Sequence, residues 1–452
     1  MRRFPISAAL TIASLGALLM LLRVWMPAAI DTPKTLLGAI LDFSPESTPA
    51  SPLVERHEPA VAPQRLAAAA GSAMHAPLLD DGNGVLDHFY SYLWRTEKGA
   101  ATTRILHYGD SPTTADLITG DTRHLLQERY GDAGHGLMLI SKPWAWYQHR
   151  GVEVSGSGWQ MSPASSFKAL DGAFGLGGVS FIGQAGAHSK LVLADPGQSN
   201  FELWYMAEPD GGVVTAEADG REVAHIATDG AAGPAFAAIA VPGGAHELDL
   251  AVESGRVRLF CITAEKAGPG LVYDSAGLNG ASIAVLSRMF NEAYWAEELR
   301  HRNPDLVVIN YGTNEADFAS FVDKGYEKEL REAIRRLHAA LPQASILIMS
   351  PMDRGAREGA DGIVTMPTIP RIVALERRVA GETGCGFFDT FDAMGGEGTM
   401  ARWYTGEPRL VSADLIHPYP AGGKIIATIL AKEIDRGLNR YKLRSAVAGP
   451  KP

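Results

Sequence analysis

The distribution of apolar and polar positions divides the chain into segments with different periods. Arg2 and Arg3 precede an uncharged, apolar stretch from Pro5 to Leu22. Its length approaches the roughly 20 residues that a helix needs to cross a bilayer, and the basic residues before it favour an N-terminus left in the cytoplasm. Arg23-Val24-Trp25-Met26-Pro27 stands where a small-x-small cleavage site would be. Residues 1–30 therefore read as an uncleaved signal anchor, with a removed signal peptide as the alternative; either one exports the rest of the chain. Within residues 31–75, Pro45, Pro49, Pro52, Pro59 and Pro63 fall among Ser, Thr, Glu and Ala. Such a stretch cannot bury enough apolar surface to fold and reads as an extended linker.

Folded periodicity begins near His75. Leu86, Phe89, Tyr90, Leu93 and Trp94 recur at helical spacing. Thr103 to Tyr108 predicts a short strand running into Gly109-Asp110-Ser111, and a helix is expected from about Ala115 to Arg129. Residues 76–150 thus open an α/β unit. Between 151 and 266 the helical period disappears. Short alternating runs such as Lys190 to Leu193, Phe201 to Tyr205 and Glu247 to Val252 take over, with turn signals such as Asp210-Gly211-Gly212 and Asp219-Gly220. This predicts an antiparallel sandwich or jelly roll. Over 267–440 the α/β rhythm returns. Helices are expected over 281–300, over Tyr326 to Leu341, over Ile372 to Val379 and over Ala421 to Ile434. Strands are expected at Asp305 to Tyr311, Ile346 to Met349 and Phe387-Phe388, and 441–452 is read as a tail. Alternating strands and helices imply an α/β domain with a mainly parallel sheet covered on both faces, interrupted by an all-β domain.

The chain has 452 residues, 46% apolar and 20% charged, enough for a substantial core and more than one domain. A net charge of −10 gives no basic footprint, which argues against nucleic acid as a partner. The two cysteines, Cys261 and Cys385, lie far apart and in no metal-type spacing. They read as buried free thiols, not as a disulfide framework or a zinc site.

Three short motifs carry candidate chemistry: Gly109-Asp110-Ser111, Gly312-Thr313-Asn314 and Asp414-Leu415-Ile416-His417. A hydroxyl nucleophile needs a base within hydrogen-bond reach, a group that holds the base, and donors aimed at the developing oxyanion. Ser111 ends a predicted strand-to-helix turn, where a side chain faces the crevice beyond the strand; the alternative is a helix N-cap. Asn314 follows an apolar strand and can donate to an oxyanion, or serve as a turn residue. Asp414 and His417 are spaced for a carboxylate to meet imidazole Nδ1, or for half of a metal site. No His-Glu-x-x-His motif and no Gly-x-Ser-x-Gly elbow occurs. Trp144, Trp146, Tyr147 and Trp159 cluster where the β-rich segment begins, and read as a platform for sugar rings or as core.

In combination these blocks resemble the SGNH (GDSL-type) hydrolases. The resemblance implies a three-layer, flavodoxin-like α/β fold and a triad of Ser111, His417 and Asp414. It also implies an oxyanion hole from the N–H groups of Ser111 and Gly280 and the side chain of Asn314. Gly280 lies within Gly277-Leu278-Asn279-Gly280-Ala281. The third block reads Gly312-Thr313-Asn314-Glu315, where the family more often has Asp after Asn. That variant, with Leu176-Gly177-Gly178-Val179 and the β-rich insertion, is similar to a branch of peptidoglycan O-acetylesterases whose hydrolase domain is interrupted by a carbohydrate-binding-module-like domain. The expectation is a serine esterase that removes O-acetyl groups from a cell-envelope polysaccharide through an acetyl-enzyme, foremost the muramic-acid residues of peptidoglycan. Trp144 and Trp146 are the candidate substrate contacts. Neither a metal nor another cofactor is expected. The expected location is the periplasmic face of the cytoplasmic membrane, on an N-terminal anchor, or the periplasm or exterior if the anchor is cleaved. The alternatives are a polysaccharide O-acetyltransferase using the same triad and an inactive glycan-binding protein.

Overall fold

The computed structural model describes residues 77–166, 171–359 and 362–448. The expected anchor and linker lie outside the described residues. Among the described residues, no helix is long and apolar enough to cross a membrane.

The chain opens with a two-residue strand β1 (Leu79–Asp80), helix α1 (Asp87–Glu97) and strand β2 (Thr102–Gly109), followed by α2 (Ser111–Thr114), α3 (Thr119–Tyr130) and β3 (Gly134–Leu139). The strands β4 (Val152–Ser157), β5 (Gln160–Pro163), β6 (Val179–Gln184), β7 (His188–Leu193) and β8 (Asn200–Ala207) come next. They are followed by β9 (Val213–Ala218), β10 (Arg221–Ala227), β11 (Gly233–Ala240), β12 (Glu247–Ser254) and β13 (Arg256–Glu265). The α/β pattern resumes with β14 (Gly270–Gly277), α4 (Glu292–Arg302), β15 (Leu306–Asn310), α5 (Ala319–Lys324), α6 (Tyr326–Ala340) and β16 (Ser345–Met349). A hairpin, β17 (Gly355–Glu358) and β18 (Gly362–Thr365), precedes α7 (Thr368–Thr383) and β19 (Gly386–Phe388). The short α8 (Thr390–Ala393) and α9 (Thr399–Thr405) then lead to the closing α10 (Pro420–Ala448).

The central sheet has the order β1-β19-β16-β15-β2-β14. Its pairs are parallel except the antiparallel edge β1·β19. Period-2 alternation sends successive residues to opposite faces. Leu106, Tyr108, Val307, Ile309, Ile346 and Ile348 enter one core with Trp295, Leu299, Leu330 and Ile372 from α4, α6 and α7. Ile105, Val308, Leu347 and Met349 enter the other with Phe89, Leu126, Ile426 and Leu430 from α1, α3 and α10. The result is the three-layer sandwich of the SGNH fold class.

Between β2 and its neighbour β14 the chain builds two antiparallel sheets, β10-β9-β12-β7-β4 and β11-β8-β13-β6-β5. Leu191, Leu203, Leu250 and Leu259 of these sheets are fully buried, and Trp204, on the opposite face of β8 from Leu203, packs edge-on against His301 of α4. β3 also pairs with β13, in register from Cys261↔Leu139 to Glu265↔Gly134. The sandwich therefore recruits a strand from the stretch 76–150 that the sequence pattern assigns to the α/β part. Local periodicity reveals a strand but not its partner. Asp274 of β14 ties the two halves together: Arg302 of α4 donates to both of its oxygens (2.6 and 2.8 Å), and the Leu137 N–H of β3 donates to Oδ1 at 2.8 Å.

Three helices differ from the sequence expectation. The helix expected over 281–300 is two pieces, a π turn at Val285–Met289 and α4, separated by Phe290 in extended backbone. Asn291 Oδ1 caps α4 by accepting from the N–H groups of Ala293 and Tyr294, and an Asn in that role stops a helix from running through it. The freed carbonyls of Leu286 and Phe290 accept from the buried Arg336 guanidinium at 2.5 and 2.6 Å. The helix expected to begin near Ala115 is likewise split, because Asp116 takes a left-handed φ of 53° between α2 and α3. Over 441–448, part of the expected tail, the chain is the continuation of helix α10. Its end is held to α1 and the chain before it by Arg440–Asp81 (2.9 Å), Lys442–Glu97 (2.5 Å) and Arg444–Asp87 (2.6 Å).

Candidate active site

Three neighbouring strands deliver three loops to one crevice. β2 lies between β14 and β15, and the carboxyl ends of parallel strands at such a switch in strand order form the crevice in which α/β proteins bind ligands. Ser111 follows β2, Gly280 follows β14, and Asn314 follows β15. The turn after β2 requires glycine: a Cβ at Gly109 would stand 2.2 Å from Thr113 Oγ1. Gly277 is needed for the same reason, since its Cβ would meet the backbone nitrogen of Thr114 at 2.1 Å. These two positions allow the end of β14 to lie against the helix that Ser111 starts.

Ser111 Oγ lies 2.7 Å from His417 Nε2, and His417 Nδ1 lies 2.6 Å from Asp414 Oδ2. The loop between Val411 and Pro418 fixes the last two groups. Asp414 Oδ1 accepts from the N–H groups of Ile416 (2.9 Å) and His417 (3.1 Å) and from the Ser412 hydroxyl, leaving Oδ2 for the imidazole. Leu415 takes a left-handed φ of 61° at the tip, and its carbonyl accepts from Gly355 N–H. A non-glycine residue in that region is strained and is kept there by its surroundings. Among the described residues no third metal-type ligand joins this pair.

Burial works against the Asp414 carboxylate, but the hydrogen bonds from His417, Ser412 and the two backbone N–H groups hold its pKa well below the usual range. The same Asp414 contact raises the His417 pKa above its ordinary 6.5, against the opposing effect of burial. A base must be neutral at Nε2 to take a proton, so the acid limb of kcat/KM is expected above pH 6.5. Asp414→Asn removes the cause. NMR titration of His417 in that variant should give a pKa nearer 6.5, with turnover lower by about 10⁴-fold. An unshifted titration would separate His417 from Asp414.

The oxyanion side is stitched by backbone. Leu278 N–H donates to Gly109 O at 3.0 Å, joining the loop after β14 to the nucleophile turn. Gly280 is exposed with φ 67°. Asn314 Nδ2 donates to Ala281 O at 2.8 Å and reaches Asp110 Oδ2 at 3.5 Å. The second contact is at the limit of a hydrogen bond, so that proton is the one free to serve an oxyanion. Ser111, Gly280 and Asn314 are thus gathered around one crevice.

The two tryptophans differ. Trp146 is 42% exposed and donates from Nε1 to Asn279 Oδ1 at 3.2 Å, beside Gly280. Trp144 is half-buried against the core. Tyr147 and Trp159, read from sequence as sharing an aromatic cluster with them, are core residues: the Tyr147 hydroxyl accepts from Leu139 N–H, and Trp159 Nε1 donates to His188 O. Cys261 and Cys385 are both buried free thiols.

Sequence reasoning gave no role to three further groups. Asp110 is buried beside the nucleophile, and burial pushes its carboxyl up to about 6 against a Thr313 hydrogen bond and the nearby His417. Arg354 donates to Thr313 O at 2.6 Å and pairs with Asp317 at 2.8 Å, bracing the loop after β15 from outside. Glu315 is buried, and burial raises its pKa to about 7. The one signal in the sequence was a carboxylate directly after Asn314 where the pattern usually has a shorter one; Arg354 had none.

Residues 254–425 match the GDSL-like lipase/acylhydrolase family. No curated protein matches the chain in sequence. Among solved structures, a peptidoglycan O-acetylesterase aligns with TM-score 0.69 and 25% identity, over 80% of this chain and 100% of that one. A family two carbohydrate esterase from Clostridium thermocellum covers 64% of this chain and 99% of its own at 14% identity and TM-score 0.27. An acetyl xylan esterase covers 36% and 80% at 20% identity and TM-score 0.27. The segment matched by the family model and the overall structural match are those of an SGNH-type (GDSL-like) esterase. Within that class the chain resembles the peptidoglycan O-acetylesterase that it matches over that protein's whole length.

Proposed function

We propose that this chain removes O-acetyl groups from a cell-envelope polysaccharide, specifically the O-acetylated muramic-acid residues of peptidoglycan. The observation that carries the reading is the hydrogen-bonded chain Ser111–His417–Asp414 beside gathered oxyanion donors, in a chain that matches a peptidoglycan O-acetylesterase over that protein's whole length. His417 takes the Ser111 proton as Oγ attacks the acetyl carbonyl. The oxyanion receives the N–H groups of Ser111 and Gly280 and one proton of Asn314 Nδ2. His417 then protonates the departing sugar oxygen, which leaves as the free hydroxyl, and water activated by the same imidazole releases acetate.

Exposed aromatic side chains on the segments that carry the site support a glycan over a lipid chain. Among the described residues the exposed aromatic rings are Trp146, Phe318 and Tyr419. Trp146 is bonded to the neighbour of Gly280, Phe318 follows the Asn314 turn, and Tyr419 lies two positions after His417. Flat aromatic faces around an open crevice suit sugar rings, whereas an acyl chain needs an enclosed apolar slot. An exported enzyme held by the apolar segment Pro5 to Leu22 would meet this substrate at the outer face of the cytoplasmic membrane.

The test compares wild type with Ser111→Ala on O-acetylated peptidoglycan and on acetylated xylan, with free acetate as readout. Ser111-dependent acetate from peptidoglycan supports the proposal. Release from xylan alone moves the substrate to another polysaccharide. Acetyl transferred to an unacetylated glycan, without free acetate, makes the protein a transferase.

A further inference from the structure

Asn314 and Gly280 sit on loops that follow different strands, so their separation is not fixed by the chain between them. Two hydrogen bonds cross from the loop after β15 to the loop after β14. One is Asn314 Nδ2 to Ala281 O, already described. The other comes from Glu315, whose side chain is 2% exposed. Its Oε1 accepts the Ile283 N–H at 2.7 Å, and its Oε2 accepts the Gly312 N–H at 3.0 Å. One carboxylate thus holds the backbone on both sides of the crevice, three residues from Gly280 on one loop and two from Asn314 on the other. Gly312 has φ 112°, a conformation with little intrinsic preference to hold it. Arg354 braces Thr313 from outside, so the turn carrying Asn314 is gripped from two sides.

We propose that Glu315 is a positioning residue that sets the distance between the Gly280 N–H and the Asn314 carboxamide. It touches no substrate and acts through the two loops it joins. The two oxygens of one rigid carboxylate impose a fixed spacing that two independent side chains would not. A carboxylate one methylene shorter cannot reach Ile283 N–H while still accepting from Gly312. The proposal rests on the esterase reading of the site.

Glu315→Gln keeps the size but turns an amide NH2 toward one of the two N–H groups, so one of the two bonds that make the clamp is lost. Misplacing an oxyanion donor by a fraction of its hydrogen-bond length is expected to lower kcat by about 10–10²-fold. KM should stay within about threefold, because the donors serve the transition state more than the bound ester. The discriminating readout is the double variant: Asn314→Ala should cost far less in a Glu315→Gln background than in wild type. Full additivity, or a kcat for Glu315→Gln within about threefold of wild type, overturns the proposal. Glu315→Asp, which keeps the charge and the bond to Gly312, carries the same comparison if the Gln variant does not fold. Ser111→Ala, measured alongside, separates the two readings. If it stays active the esterase reading fails; if it is inactive while Glu315→Gln turns over like wild type, only the clamp fails.

Discussion

Alanine at Ser111 is expected to lower turnover of an acetyl ester by about 10⁴-fold or more, and alanine at His417 by a similar factor. Oγ is the atom that forms the acetyl-enzyme, and Nε2 at 2.7 Å is the acceptor for its proton. Neither has a substitute within the triad: Asp414 is held by its own loop and reaches only Nδ1. The double variant should be no slower than either single one, because a nucleophile without a base and a base without a nucleophile fail at the same step. Steady-state kinetics on an activated acetyl ester checks this. A double loss equal to the product of the two single losses would mean that the residues act independently, and the 2.7 Å contact would have no catalytic meaning.

The second large effect is on stability. Arg302→Leu is expected to cost about 3–5 kcal/mol, since it leaves the Asp274 carboxylate buried with no counter-charge. Asp274 is 0% exposed and its Oδ1 keeps only the Leu137 N–H, while Arg302 also gives up Glu265 at 2.5 Å. Replacing both members, as Arg302→Leu with Asp274→Leu, should recover much of that loss, because two apolar side chains need no pairing. Denaturant midpoints for the two variants decide it. A wild-type midpoint for Arg302→Leu alone would show that water reaches Asp274 and that the link between sandwich and sheet is weaker than its geometry.

The sequence made the site legible because its chemistry lies in short contiguous blocks at strand ends. Asp414 and His417 are three positions apart, and the polar residues of Gly109-Asp110-Ser111 and Gly312-Thr313-Asn314 interrupt apolar runs that announce strands. What stayed hidden depends on contacts across the chain. Nothing local says that Gly134–Leu139 pairs with Cys261 to Glu265 and not with β2. The end of α10 is stabilised by charges on Asp81, Asp87 and Glu97, so its pattern alone is too weak to distinguish it from a tail. The split near Asn291 carried a readable cap signal, overridden by the apolar run on either side. Glu315 was visible as a departure in a motif, yet its role required the position of Ile283, which no spacing gives.

The interruption of the α/β domain also separates partner strands in the order of synthesis. The ribosome releases β2 before either strand that will flank it, and contacts such as Ser275 Oγ to Thr113 O span 162 residues. Closing a loop of that length in an unfolded chain is slow, and waiting strand edges are exposed to mispairing. The intervening strands solve this among themselves: their own pairing sets Gly134 opposite Glu265, so the two ends of the broken domain emerge side by side. In the folded protein the sandwich thereby holds the two ends of the interrupted sheet at the spacing that β2 and β14 need to pair. The loop bearing Asp414 and His417 is synthesised after all of it, so Ser111 has no base until the strands that follow the insertion have been made.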